Sequence, residues 1–482
     1  MREIYLNHAD TAPLHPDVMG LIMPFFGYHY GTPGNPSCFS DTPRQAVRDA
    51  RERVARLIGA DAAEIVFTSG GTEAANMAIL GAARARKSGH IITSSVEQAC
   101  VLLSCRHLEE EGFRLTCLPV DASGLVDPAA VEDAIRDDTI LITIMHANHE
   151  VGTLEPVRDI GRLAKRHGIT FHCDAVQSAG KLPIDVDVLQ ADLVSFSSHM
   201  LYGPKGAGAL YVRKGTAISP VFFGAGQEKG LRPGTLNVPS IVGFGKACEI
   251  AGKDLEKNAL LTASLRDALE QSLLERIPGA RVNAQGISRA PHILSMSFEG
   301  IQGDALAAWL DFEGITVDTS ASLFARHPSH VLTAMGIPAD LAFSSVRFSP
   351  GWENTNAQIV RTAHVAADAV RMLREFSRQV GDDETCIVTF PDRKEAKLAV
   401  ASLGEKGIPF AVTARPVELS HLVGPRIAVA IALSHEGRAG ALLGERDIAM
   451  TGIHRLKGLS RQRTVQEELF WEKVAKIRKG KD

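Results

Sequence analysis

An α/β fold built on a mostly parallel, seven-stranded, three-layer sheet is what this sequence predicts, and two observations predict it. Between residues 60 and 215, apolar runs of strand length alternate with amphipathic stretches of helical period. That alternation belongs to a parallel sheet covered by helices on both faces. Polar clusters also follow the ends of several of the apolar runs, and sites in such sheets lie at the carboxyl ends of the strands.

The strand candidates, in order, are EIVFTS, HIITSS, LTCLPV, ILITIMHA, ITFHCDA, LVSFSS and GALYVR, with helices such as EAANMAILGAARARKSG and RDIGRLAKRHG between them. From about 240 to 380 the pattern becomes a long helix, a strand (HILSMSF), a helix (DALAAWLDFEG), another strand and a final helix near 355–378. This predicts a smaller α/β domain over 241–380, after a large domain over 1–240. A polar seam, QVGDDET at 379–385, ends that body. Residues 384–455 then read strand–helix–strand twice, a βαββαβ unit of ferredoxin-like order. Residues 456–482 form a basic tail, read as a solvated amphipathic helix.

The chain has 482 residues, 45% apolar and 22% charged, with a formal net charge of −4. That length predicts more than one domain. That charge gives no global attraction to nucleic acid or an anionic membrane. No apolar run reaches the roughly 18 residues of a membrane span, and the first residues have neither a basic stretch nor an apolar core of signal type. Seven scattered cysteines without a CxxC pair argue against a disulfide framework or structural zinc, and for a reducing cytoplasm.

Four segments carry candidate chemistry. FTSGGTEAAN, 67–76, is a strand, then Gly70, Gly71 and Thr72, then a helix. Backbone N–H groups at a helix start, with a hydroxyl and glycines that allow close approach, make a phosphate cup, although a capped turn looks similar. FHCDAVQSAGK, 171–181, puts Asp174 at a strand end and Gln177 just beyond. That carboxylate suits a protonated ring nitrogen or a helix cap. SFSSHM, 195–200, supplies Ser197 and His199, and GQEKGLRPGTLNV, 226–238, is a Gly-rich loop with Arg232 and Thr235.

Taken in order with YLNHADTAPLHPDV, YGTPGNPS, HANHEVGT, HMLYGPKGAGALYVR, PSHVLTAMG and SSVRFSPG, these segments resemble the class V aminotransferase family of fold type I pyridoxal-phosphate enzymes. The resemblance is to its cysteine desulfurase branch and runs from about residue 3 to 378. It implies that Gly71, Thr72, Ser197 and His199 hold the cofactor phosphate, with Thr235 reaching it from the other subunit of a homodimer. It implies that Asp174 pairs with the pyridine nitrogen, Gln177 with the phenolic oxygen and Arg347 with the substrate carboxylate, a task suited to guanidinium.

Four departures fall on the groups that do the family's chemistry. Met200 stands at the Schiff-base lysine, where an amine must condense with the aldehyde and move protons. A thioether does neither. Gln98 stands where the family has a ring-stacking histidine, and His149 replaces the second Asn of an Asn-Asn-Glu run. In VDTSASLFARHPSHVL, 317–332, Ser322 is the best match to the nucleophilic cysteine, and an unassisted hydroxyl does not accept sulfur. Residues 387–424 resemble a small family of sulfur or selenium carrier domains, which place a cysteine soon after a Pro-x-Glu-Leu-Ser segment. Here PVELSHLVG, 416–424, is followed by none, and Cys386 reads as a core thiol.

The expected function is a desulfurase homologue without ordinary desulfurase activity, a dimeric scaffold or regulator of sulfur or iron–sulfur metabolism. Its natural partner would be a sulfur carrier or iron–sulfur scaffold protein. Pyridoxal or pyridoxamine phosphate, if bound at all, would be non-covalent. A second reading is a lysine-free enzyme with His149 as base. A third is a sulfur or selenium transferase that borrows a partner's groups. A fourth places a metal at His149, Cys100 and Cys173, without short ligand spacing to support it.

Overall fold

The computed structural model describes residues 3–319, 328–380, 385–414 and 427–456. Ser322, the PVELSHLVG segment and the basic tail lie outside the described residues. Strand β1 (Ile4–Tyr5) opens the described chain and belongs to the smaller unit.

The large sheet contains all seven expected strands: β2 (Ile65–Thr68), β3 (His90–Ser94), β4 (Arg114–Leu118), β5 (Thr139–Thr143), β6 (Thr170–Asp174), β7 (Leu193–Ser197) and β8 (Gly208–Val212). Their order is β2-β8-β7-β6-β5-β3-β4, and only β8 runs antiparallel to its neighbours. The strand sequences are continuously apolar because helices cover both faces. Period-two geometry sends alternate side chains to opposite cores. Phe67, Ile92, Ile142 and Phe171 enter one cluster, while Val66, Ile91, Leu141 and Leu193 enter the other.

Helix Val238–Lys253 packs against helix Asp41–Leu57, and its Ile241, Phe244 and Cys248 join the large-sheet core. The close approach needs glycine: a Cβ on Gly245 would stand 2.5 Å from Ala50 Cα. The packing boundary of the first unit therefore falls after this helix rather than at residue 240. Between the same layers, Arg51 grips the Glu228 carboxylate with two N–H groups, and Phe67 N–H donates to it as well. This fixes the start of the Gly-rich loop against β2.

The smaller unit carries β9 (Ala280–Val282), β10 (Leu294–Phe298), β11 (Ile315–Thr316), β12 (Asp318–Thr319) and β13 (Ser345–Phe348). Four of them form an antiparallel sheet, β12-β13-β10-β9, while β1 pairs in parallel with β11. The N-terminal residues thus cross to this unit. That crossing brings Asn7 and His8 beside Arg347 and Ser349.

Beyond helix Asn356–Val380 come β14 (Thr385–Thr389), helix Arg393–Glu405, β15 (Phe410–Ala414), β16 (Ile427–Ala432), helix Glu436–Glu445 and β17 (Gly452–Leu456). The element order is βαββαβ, in an antiparallel sheet ordered β15-β16-β14-β17. It shares one continuous apolar core with the smaller unit. Trp309 stacks on Phe410, and Arg393 pairs with Asp311 at 3.0 Å. Cys386 is fully buried in this core. No described helix is long and apolar enough to cross a membrane.

Candidate functional site

The carboxyl ends of β6 and β7, the start of helix Gly71–Arg86 and the end of β13 enclose a cleft of about 320 Å³, a size that suits a small organic ligand. Its lining brings together nearly all the residues singled out from the sequence. Gly71, Thr72, Gln98, His149, Asp174, Gln177, Ser197, His199, Met200 and Arg347 all face it. Thr235 does not. It sits exposed on the Gly-rich loop, beside a separate surface hollow lined by Arg232 and Phe223.

At the phosphate end, Thr72 is the second residue of a sixteen-residue helix, whose first N–H groups have no intrahelical partner. Packing demands glycine at 71, where a Cβ would stand 2.6 Å from Val176 Cγ2. Across the cup, Ser197 is buried and its Oγ has no partner within the chain. A buried hydroxyl so placed fits an incoming phosphate oxygen. His199 lies on the short turn Ser198–Leu201, its Nδ1 3.1 Å from Thr11 Oγ1. Burial, with Lys205 and Lys181 nearby, holds its imidazole below the ordinary value.

Asp174 is the last residue of β6, buried against the floor. Val176 N–H and Ser195 Oγ–H both donate to its Oδ1, at 2.9 and 3.2 Å. Burial nonetheless pushes its carboxyl from 3.8 up to about 6, because the two hydrogen bonds offset only part of the desolvation. A cationic ring nitrogen would supply the missing counter-charge. The sign follows directly. Between pH 3.8 and about 6 the folded state keeps a proton that the unfolded chain has released, so stability falls as pH rises through that window. Asp174→Asn is expected to stabilise the ligand-free protein at pH 7 by roughly 2–3 kcal/mol. The same change should weaken retention of any pyridine-based ligand. Urea unfolding at pH 4 and pH 7 checks this, and the mutant's advantage should shrink at the lower pH.

Gln177 is held otherwise than the family pattern implies. Its Nε2 donates to Ala9 O at 2.8 Å, and His292 Nε2 donates to its Oε1 at 3.1 Å. The amide is thus turned to the N-terminal segment rather than free for a ring oxygen. Gln98 caps helix Ala99–Glu110 by accepting from Cys100 N–H. His149 stacks on His330, and burial, with His330 and Arg347 beside it, pushes its imidazole down to about 3. Met200 is 2% exposed and forms a wall common to the cleft and a smaller cavity behind it.

Two residues were missed in the sequence. Asp318, on β12, ion-pairs with the Arg347 guanidinium, which also donates to His149 O at 2.7 Å and Asn7 Oδ1 at 3.3 Å. The group expected to clamp a substrate carboxylate therefore already holds one. Its signal was present: a carboxylate, Asp318, among the small residues of VDTSAS. The second is Lys181, whose Nζ is shut off from solvent and has no partner.

The three residues weighed as metal ligands do not converge. Cys100 lines the cleft, where burial pushes its thiol up to about 12. Cys173, however, points into the apolar core behind β6 and cannot join His149. Among the described residues no group of three or more His, Cys, Asp or Glu stands close enough to hold a metal.

The aminotransferase class-V family model matches residues 4–361. The chain is 44% identical over 380 residues to cysteine desulfurase IscS of Dictyoglomus turgidum, covering 78% of this chain and 96% of that one. Similarity to cysteine desulfurase IscS of Methanosarcina thermophila is 43% over 380 residues, 78% and 94% of the two chains. A solved NifS-like protein superposes with a TM-score of 0.73 at 35% identity, covering 77% of this chain and all of that one. With its parallel-dominated sheet, the chain belongs to the class-V aminotransferase family. Within it, the chain is a cysteine desulfurase-like protein.

Proposed function

We propose that this protein is a desulfurase homologue that no longer performs cysteine desulfuration and acts as a homodimeric scaffold or regulator in sulfur or iron–sulfur metabolism. One observation carries the reading: no lysine is among the described residues that line the cleft, and Met200, which the resemblance sets at the Schiff-base lysine, forms part of its wall. The phosphate cup and Asp174 retain what a pyridoxal or pyridoxamine phosphate needs for non-covalent binding. Such a cofactor supplies an electron sink when bound, but this chain's residues offer it no amine to anchor or release it. The engagement of Arg347 by Asp318 supports the same reading, since an incoming carboxylate would have to displace it.

The lysine-free enzyme reading is less favoured. An imidazole pushed down to about 3 is neutral at pH 7, yet it is too weak a base to draw protons efficiently. A homodimer accommodates the exposed Thr235 loop, which would then reach a second copy's cleft. A sulfur carrier or iron–sulfur scaffold protein is the partner class that the reading names, in a reducing cytoplasm.

Equilibrium dialysis against pyridoxal phosphate and, separately, pyridoxamine phosphate tests the cofactor part. Both forms are expected to be retained with similar affinity, because neither is anchored covalently. Asp174→Ala should lose them at least tenfold, about 1.4 kcal/mol. Retention of pyridoxal phosphate alone, surviving dialysis and trapped on a lysine, would contradict the proposal.

A further inference from the structure

Among the described residues that line the cleft, three carboxylates, Asp10, Asp174 and Asp318, face one guanidinium, Arg347. The imidazoles there add no positive charge at neutral pH. Burial, with His330 and Arg347 nearby, pushes His149 down to about 3, and burial also holds His199 below its ordinary value. Cys100 stays a neutral thiol, pushed up to about 12 by burial with Asp174 and Glu97 beside it. Asp174 belongs to the floor. The other two carboxylates set the charge at the end beside Tyr5.

Asp10 and Asp318 come from distant parts of the chain and meet there. After β1 pairs with β11, the chain turns at Asn7, where Asp10 N–H donates to Asn7 O at 3.1 Å. The Tyr5 hydroxyl braces this turn, donating to Thr11 O at 2.9 Å with Asn7 O at 3.1 Å. Burial pushes that hydroxyl up to about 12, and the Asp10 and Asp318 charges add to the push. Both carboxylates therefore lie within Coulomb reach of one atom.

The two are not equivalent. Asp318 ion-pairs with Arg347, so its charge and the guanidinium's largely cancel. Asp10 is exposed to the cleft and has no ion pair or side-chain hydrogen bond among the described residues. The charge left over at this end is negative. A ligand carboxylate would meet a guanidinium already held and an uncompensated anion close by. An ammonium group would meet the opposite. Ala9, Ala147 and Met200 line the same cleft and suit a short apolar body.

We propose that the cleft binds a small primary amine that lacks a carboxylate, with Asp10 taking its ammonium group and the Asp318–Arg347 pair turning amino acids away. The inference rests on the reading that cysteine is no longer processed here. It needs no cofactor, since neither Asp10 nor Asp318 belongs to the phosphate cup.

The probes are 2-(methylthio)ethylamine and S-methyl-L-cysteine, which differ only by the carboxylate and carry no free thiol. Calorimetry on the cofactor-free full chain should show the amine binding about tenfold tighter, the worth of one charge-assisted hydrogen bond. Asp10→Asn changes an exposed side chain at constant shape, so the melting temperature should stay put while the amine loses that advantage. Asp318→Asn should reverse the order of the two probes, because it frees Arg347 for the carboxylate. Equal binding of the probes by the native protein, or an amine affinity unchanged by Asp10→Asn, would overturn the proposal. Sulfide release from cysteine is measured separately. Its absence together with equal probe binding would sink the amine site and leave the reading of a silent homologue standing.

Discussion

Met200→Lys is expected to turn a protein that forms no covalent link to pyridoxal phosphate into one that does. In the native protein, incubation with the cofactor and then borohydride should leave residue 200 unmodified. In the mutant, most of the protein should carry a reduced adduct there, located by peptide mass. The physical basis is local. Residue 200 sits on the turn Ser198–Leu201 at the end of β7, on the wall of the cleft that holds Thr72, Asp174 and Ser197. The new amine would be buried, and burial lowers an ammonium's pKa, so a useful fraction would be neutral near pH 7. Met and Lys have similar lengths, which keeps the packing cost small. Sulfide release should remain absent even in the mutant, because the proposed reading sets Ser322 in place of the nucleophilic cysteine. Adduct on another lysine of the native protein, and not at 200, would show that the amine had moved rather than disappeared.

Asp318→Asn is expected to bring the largest gain in affinity for small amino-acid carboxylates. Arg347 is 8% exposed, and its guanidinium is shared among Asp318, His149 O and Asn7. An incoming carboxylate must first displace Asp318, and a charge-assisted hydrogen bond is worth about 1.5–3 kcal/mol. Removing the competing charge should therefore tighten cysteine binding by roughly tenfold to a hundredfold. Calorimetry on both proteins, loaded with pyridoxamine phosphate so that no reaction begins, measures it. Equal affinities would mean that Arg347 does not meet the ligand at all. The mutant should also be less stable, since a buried guanidinium loses its partner.

Much of this architecture was legible before any coordinates. All seven strands of the large sheet lay in apolar runs, because burial on both faces leaves a continuous signal. The cup at Thr72 and the carboxylate at Asp174 were readable because a strand end followed by a polar residue is a local feature. What escaped was non-local. The Asp318–Arg347 pair joins residues 29 apart on adjacent antiparallel strands, and nothing in either segment announces the other. Lys181 lies in FHCDAVQSAGK, but Pro291 and Trp352, which line the same cavity, are far along the chain. Helix Val238–Lys253 was assigned across a boundary because a helix's own period does not say which core receives its apolar face. Cys173 and Cys100 looked like pocket neighbours, yet Cys173's place in the strand's alternation sends it to the opposite side.

The central claim is that the family's fold and phosphate cup persist here without its sulfur chemistry. Sulfide release from L-cysteine by the purified protein, supplied with excess pyridoxal phosphate and a thiol reductant, tests that most directly. The expected result is sulfide indistinguishable from a protein-free control, unchanged by Met200→Ala. Sulfide formed at the rate of a cysteine desulfurase run alongside would contradict it.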